Sequence, residues 1–237
     1  MNRYRPGQRY LAEFLGTFAL VFAGCGAAIS NGVFGGVVSH VGVALTFGFV
    51  VAVMIYALGP ISAAHFNPAV TVGFAVARRF PSKHVPAYVL AQSSGALLAS
   101  TLHGLLYGLE SARSAQFGAT IPAVAWGSAV GFEVILTFFL MLVIMAVATD
   151  ARAPAGVAGV AIGLTVALCA LFGGPCTGAS MNPARSLAPA LFAQGTALQS
   201  LPLYLVAPPI GAVLAALTYE LLRDSNAHAQ SAPADLA

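Results

Sequence analysis

The tripeptide Asn-Pro-Ala occurs twice, at Asn67-Pro68-Ala69 and Asn182-Pro183-Ala184, each time opening a short apolar stretch inside a very hydrophobic chain. The copies lie 115 positions apart, each in the second half of a similar block, which points to an internal duplication. Asn favours the N-cap of a helix and Pro its first turn, so each motif reads as a helix start. The stretch after each motif is too short to cross a bilayer. Each block therefore reads as a segment that enters the membrane, turns and leaves by the same face. A helix that begins at membrane depth aims its unpaired N–H groups and the positive end of its dipole at whatever occupies the centre. That arrangement suits a pore for uncharged solutes.

Composition sets the class. The chain is 59% hydrophobic and 7% charged, against about 25% charged residues in an ordinary soluble domain. A single polytopic membrane domain accounts for its length better than one or two soluble ones. The net charge of +3 comes mostly from the termini and short loops, so it bears on orientation and not on nucleic-acid binding. Cys25, Cys169 and Cys176 are odd in number, lack metal-ligand spacing and sit in apolar runs, and read as free thiols. No metal site or cofactor is expected. Arg3, Arg5 and Arg9 precede an apolar run long enough to span, so no cleavable signal peptide is expected.

Read for segments of about 20 apolar residues, the chain yields spans near Tyr10–Ile29, His40–Leu58, Pro86–Tyr107, Trp126–Ala148, Val157–Phe172 and Pro202–Leu222. Pro68–Ala77 and Pro183–Ala193 remain as half-helices, whose non-helical lead-ins are tolerated only where they are buried in protein or line a cavity. The order is span, span, half-helix, span, then the same again. An odd number of crossings per half requires the second half to lie inverted relative to the first. The fold class expected is thus all-α and polytopic: six transmembrane helices and two re-entrant half-helices in an inverted repeat. Gly104…Gly108 and Gly159…Gly163 would allow close helix packing.

The duplication extends beyond the motifs. Glu13-Phe14-Leu15-Gly16-Thr17-Phe18 opens one half and Glu133-Val134-Ile135-Leu136-Thr137-Phe138 the other, with Glu, Thr and Phe in register. The repeats run over about residues 10–107 and 126–223 of one channel domain covering 1–223, and 224–237 reads as a disordered polar tail. With the N-terminus inside, Arg3, Arg5, Arg9, Arg78, Arg79, Lys83, Arg152 and Arg223 all fall on the cytoplasmic side, and only Arg113 and Arg185 fall towards the outside. Both termini are then cytoplasmic in a cell membrane.

On Ala12-Glu13-Phe14-Leu15-Gly16-Thr17, His65-Phe66-Asn67-Pro68-Ala69-Val70-Thr71, Ala148-Thr149-Asp150 and Gly178-Ala179-Ser180-Met181-Asn182-Pro183-Ala184-Arg185-Ser186, the chain resembles the aquaporin, or major intrinsic protein, family from about Tyr10 to Arg223. Arg78-Arg79-Phe80-Pro81 and Val85-Pro86-Ala87-Tyr88, together with the stretch 178–186, resemble its nodulin-26-like branch and bacterial relatives. Pro60 stands where a His is usual and Ala63 where a Gly is usual. The resemblance implies a right-handed bundle and a homotetramer in the lipid bilayer with one pore per subunit. Water and small neutral solutes would be its partners.

The candidate residues carry competing readings. Asn67 and Asn182 could be plain N-caps, but a matched pair at membrane depth reads as pore lining, with amides that donate to a passing oxygen. Glu13 and Glu133 could be proton-relay carboxylates; the resemblance implies instead that they hold the backbone of the lead-in loops. His65 reads as packing or bonding within its loop. His40, His84 and His103 stand alone and read as structural. Cys176 falls in the stretch before Asn182, read as extended, where a thiol would face the pore.

Arg185 follows Asn182 by three residues, where the first half has Val70. An unpaired Arg at such depth costs ~3 kcal/mol on insertion scales. A buried salt bridge is one answer. A filter that donates to solute and repels cations is the other. Resemblance places Phe47, Ala170 and Ala179 beside it. Water-selective relatives usually carry His where this chain has Ala170, so the filter is expected to be wider than a strict water pore. The function expected is a passive channel for water and small uncharged solutes such as glycerol, urea or undissociated metalloid acids, excluding ions and protons. A strict water channel is the alternative. A scaffold with a vestigial pore is disfavoured by the intact motifs, and a coupled transporter by the lack of further intramembrane carboxylates. No nucleophile, base and orienter cluster as an enzyme would need.

Overall fold

The computed structural model describes residues 4–223, so Arg3 and the expected tail at 224–237 lie outside the described residues. Six helices are long and apolar enough to cross a membrane: α1 Pro6–Val33, α2 Ser39–Ser62, α4 Val85–Leu106, α6 Trp126–Thr149, α7 Ala158–Thr177 and α9 Gly195–Leu222. The two half-helices are α3 Pro68–Val76 and α8 Pro183–Ala193, and a short α5, Leu109–Ser114, leads into a 3₁₀ turn at Gln116–Gly118. Large apolar side chains line the outer surface, as at Leu90, Leu98 and Leu105 on α4 or Val160, Leu164 and Leu168 on α7. A soluble surface would put polar groups there; a bilayer calls for this inversion.

Prolines explain most differences from the expected spans. The fifth span reaches Thr177 and not Phe172, because α7 continues through Pro175. Likewise α2 runs through Pro60 to Ser62, and α9 begins at Gly195, well before Pro202, with Pro202, Pro208 and Pro209 all inside it. A helix buried among neighbours tolerates such breaks because other groups take up the freed carbonyls. Gly108 lies outside α4 with φ +82, so Gly104…Gly108 is not a packing motif on one helix.

Helix pairs are closed by glycines. A β-carbon added at Gly163 would sit 2.5 Å from the Gly48 carbonyl oxygen, and one at Gly48 would sit 2.6 Å from that of Gly163, so α2 and α7 touch backbone to backbone. The same holds in each half for the first and last spans. A β-carbon at Gly95 would meet the Phe14 oxygen at 2.2 Å, and one at Gly211 the Val134 oxygen at 2.2 Å. Close backbone approach of this kind supplies the dispersion contact that holds helices together in lipid. These equivalent contacts tie α1 to α4 and α6 to α9.

At one end of the bundle, charges knit the turns together. Arg79 makes a bidentate pair with Glu220, at 3.0 Å for both bonds. Arg223 donates to the Thr149 carbonyl at 2.8 Å, and the Tyr219 hydroxyl donates to Asp150 at 2.8 Å. Arg152, on the turn outside the spans, holds the Asp150 carboxyl well below the usual carboxylate range, with Tyr219 assisting.

Candidate functional site

Each half-helix starts where the sequence places an Asn. Asn67 has extended backbone (φ −157°, ψ 120°) and its Oδ1 accepts from the Ala69 N–H at 2.8 Å. Asn182 does the same (φ −153°, ψ 107°), accepting from Ala184 at 3.0 Å and Arg185 at 3.3 Å. The helix-start N–H groups are therefore partly satisfied by their own caps, and it is chiefly the Asn amides that face inward. This refines the expectation of bare N–H groups at the centre.

The two caps also clasp each other's loops. Asn67 Nδ2 donates to the Met181 carbonyl at 2.7 Å, and Asn182 Nδ2 donates to the Phe66 carbonyl at 2.9 Å. Each amide carries two hydrogens, so one on each has no bond to protein. The half-helices thus meet at their starts, each held by the loop that leads into the other.

Those lead-in loops are bent in matched places. Positive φ occurs at Ala63 (69°), Ala64 (51°) and Phe66 (50°) before the first motif, and at Gly178 (80°), Ala179 (42°) and Met181 (51°) before the second. Such left-handed turns cannot join a sheet or helix, so their N–H groups need side-chain acceptors. Glu13 supplies them in the first half: Oε1 accepts from the His65 N–H at 2.9 Å and Oε2 from the Phe66 N–H at 2.7 Å. Glu133 supplies them in the second, accepting from the Ser180 N–H at 2.8 Å and the Met181 N–H at 2.9 Å. Both carboxylates are fully buried and neither lines the cavity.

Around these carboxylates the halves differ in side chain but not in task. Gln92 donates to Glu13 at 2.8 Å and to Thr71 at 3.0 Å. Thr177 donates to Glu133 at 2.7 Å. Tyr88 donates to the Ser62 carbonyl at 2.8 Å, and Tyr204 to the Thr177 carbonyl at 2.6 Å. His65 Nδ1 lies 3.1 Å from Thr71 Oγ1, and its ring packs against Phe74, Phe80 and Tyr88. In the second half a chain of hydroxyls replaces it, from Thr120 to Ser186 at 2.7 Å and on to Ser180 at 2.6 Å. Tyr88, Tyr204, Gln92 and the Thr120–Ser186–Ser180 chain escaped the sequence reading. The tyrosines had a signal: Pro86, Tyr88, Gly95 and Ala96 recur as Pro202, Tyr204, Gly211 and Ala212 at a constant offset.

Between the halves runs a narrow cavity with about 90 Å³ open to water-sized molecules. Its walls come from one face of each of several helices, as the i, i+4 spacing requires: Phe47, Val51 and Ile55 on α2; Leu140, Ile144 and Ala148 on α6; Ala158, Ile162, Val166 and Ala170 on α7. Polar lining is confined to the two Asn residues, Ser180, His65 and Arg185, and no carboxylate reaches the wall.

Phe47, Ala170, Ala179 and Arg185 all border the cavity. The Arg185 guanidinium sits 4.8 Å from the Phe47 ring centroid, a cation–π contact, and its Nη1 donates to the Gly118 carbonyl at 2.9 Å. Among the described residues no carboxylate lies within ion-pair distance of it. Gly118 (φ +65) itself rests on α1: a β-carbon there would lie 2.8 Å from the Cys25 carbonyl oxygen. Gly24 forms the notch for Phe47, since a β-carbon there would fall 2.1 Å from the ring. Neither glycine was singled out from sequence, because nothing local marks their contacts.

The cysteines correct one expectation. Cys176 lies in the last turn of α7 and not in an extended loop, with its Sγ 3.9 Å from the Phe172 carbonyl. Neither Cys176 nor Cys169 borders the cavity, and Cys25 and Cys169 are buried. The helix continues past Pro175, which turns Cys176 away from the cavity.

Known proteins match both the sequence and this architecture. The family model for Major intrinsic protein matches residues 2–219. Aquaporin NIP1-1 of Oryza sativa subsp. japonica is 48% identical over 219 residues, covering 92% of this chain and 75% of that protein. Nodulin-26 of Glycine max is 48% identical over 217 residues, covering 91% and 78%. The X-ray structure of the aquaglyceroporin from Plasmodium falciparum superposes with a TM-score of 0.84 at 26% identity, covering 95% of this chain and all of that one. A match along nearly the whole chain, on a bundle built around two clasped half-helices, makes this chain a member of the major intrinsic protein family.

Proposed function

We propose that the cavity is a passive pore through the membrane for water and small uncharged solutes. The observation that carries this reading is the composition of its wall. Three helix faces contribute only apolar side chains, while polar side chains are limited to the donors Asn67, Asn182 and Arg185, with His65 and Ser180 beside them. Water or a hydroxylated solute replaces part of its hydration at those donors and makes no strong bond elsewhere, so it binds weakly enough to leave. Cations meet Arg185 and two half-helix starts of positive potential, with no carboxylate on the wall to bind them. A water held by both Asn amides as an acceptor directs its own hydrogens away along the pore, which interrupts proton relay.

Selectivity is set where Phe47, Ala170, Ala179 and Arg185 converge. Two of these four are alanines, so the opening is wider than an imidazole would leave it. The Phe47 ring faces the carbon skeleton of a solute and Arg185 bonds its hydroxyls, a division suited to glycerol, urea or an undissociated metalloid acid. The Asn-Pro-Ala residues Pro68, Ala69, Pro183 and Ala184 start the half-helices that present the amides. Glu13, Glu133 and His65 brace the lead-in loops. Four copies assemble, each with its own pore, in a cell membrane, with both termini cytoplasmic. The basic cluster around Arg79, Arg152 and Arg223 at one end supports that orientation.

The deciding experiment is stopped-flow swelling of proteoliposomes in gradients of water, glycerol, urea and arsenous acid. Passage of water with at least one of the larger solutes is the expected result. Vesicles that swell in water and exclude every such solute would establish a strict water channel. Steady proton conductance in planar bilayers would overturn the pore mechanism itself.

A further inference from the structure

Behind the first lead-in loop lies a second pocket, walled by Tyr4, Arg9 and the backbone from Gly59 to Ala63. Its one charged side chain is Arg9, in the opening turns of α1. The Arg9 Nε is buried and has no hydrogen-bond partner among the described residues, and none of the ion pairs there includes Arg9. No carboxylate lines the pocket.

A buried donor on a charged group is costly to leave unpaired. The pocket beside it has room for an acceptor that the protein does not supply. An occupant that offers an acceptor oxygen to the buried Nε and negative charge to the guanidinium fits it, which phosphate does well. The wall also includes the C-terminal turn of α2, whose carbonyl end is the negative pole of that helix. A phosphate that carries hydroxyl or ammonium donors on an attached group satisfies both poles. Arg9 sits near the start of a membrane span, at the depth where lipid headgroups present such groups.

We propose that this pocket is a phosphate site, in which Arg9 holds a phosphate carried by a lipid headgroup or free in solution. Its position has a consequence for the pore. Ala63 belongs to the walls of both the pocket and the pore cavity, so a bound phosphate buttresses the loop that leads into Asn67.

The test is native mass spectrometry of the full chain in detergent, with phosphatidylglycerol or diacylglycerol added, and with inorganic phosphate as competitor. Arg9→Gln is compared with Arg5→Gln, an exposed position outside the pocket. Wild type and Arg5→Gln should retain phosphatidylglycerol, Arg9→Gln should retain it about tenfold less, and diacylglycerol should not be retained. Competition by inorganic phosphate assigns the site to the free anion as well; its failure assigns the site to the lipid. Equal retention by Arg9→Gln, or retention of diacylglycerol equal to that of phosphatidylglycerol, overturns the proposal.

Discussion

His40 Nε2 donates to the Leu171 carbonyl at 2.8 Å, reaching from the start of α2 to the last turns of α7. Mid-helix, α7 leaves that carbonyl unpaired, because the residue four positions on is Pro175, which has no N–H. The His40 ring also lies where a side chain at Gly174 would be, with Cε1 2.7 Å from a β-carbon built there. A histidine that stands alone in the sequence thus completes a helix broken by a proline, one turn from Ala170.

His40→Ala should therefore destabilise the chain by about 1 kcal/mol, the net worth of one ordinary hydrogen bond. Thermal unfolding in detergent measures it. His40→Gln, which keeps a donor, should recover part of the loss. A Pro175→Ala background supplies the missing N–H and should remove the effect of His40→Ala; if the loss persists there unchanged, the bond to Leu171 is not its cause.

Ala63 offers a stabilising change. It closes α2 in the left-handed region at φ +69, while its counterpart in the second half, Gly178, does so at φ +80. An L-residue there carries a penalty of about 1–2 kcal/mol that glycine avoids. Ala63→Gly should raise stability by about 1 kcal/mol, and Gly178→Ala should lower it by more, since its β-carbon would also press on Thr120 at 3.0 Å. An unfolding midpoint that falls in Ala63→Gly would contradict this.

Much of this architecture can be read from the chain because its signals are local and doubled. The motif at Asn67 and its copy at Asn182 mark two helix starts, and Glu13 and Glu133 stand in register at equivalent depths. What the sequence hides is contact between distant segments. Gly118 accepts from Arg185 across 67 positions, and neither residue's neighbours announce it. Helix ends differ from the expected spans for a related reason: α7 and α9 run through Pro175 and Pro202, and His40 and the packed bundle absorb what those prolines break. Cys176 then follows Pro175 into the helix and out of the cavity.

The Gly118 contact gives a prediction about permeation. A side chain at Gly118 is strained at φ +65 and collides with the Cys25 backbone, so Gly118→Ala must lift this turn away from α1. Arg185 then loses its carbonyl anchor, a charged hydrogen bond worth about 1.5–3 kcal/mol, and its guanidinium swings into the opening. Water permeability of proteoliposomes should fall by about tenfold with the protein still folded by size exclusion. Gly7→Ala, with no atom within 4 Å of its added carbon, serves as the control. Unchanged water flux in Gly118→Ala would show that Arg185 does not depend on this anchor.

The sharpest prediction concerns Ala170. With Phe47, Ala179 and Arg185 it borders the cavity, so a larger polar side chain there would project into the opening. One objection is that Phe47 could tilt into the space Ala170 leaves and close it. The geometry opposes this. The ring is seated in the notch at Gly24 and lies under the Arg185 guanidinium at 4.8 Å, and tilting would forfeit both contacts. The expectation is that the space beside Ala170 stays open in the wild type. Ala170→His fills it with an imidazole, so glycerol, urea or arsenous acid flux should drop by about tenfold or more while water flux changes little. Paired swelling and solute-uptake measurements on the same proteoliposomes give the ratio directly. If solute and water fluxes fall together, Ala170 does not set the width of the filter.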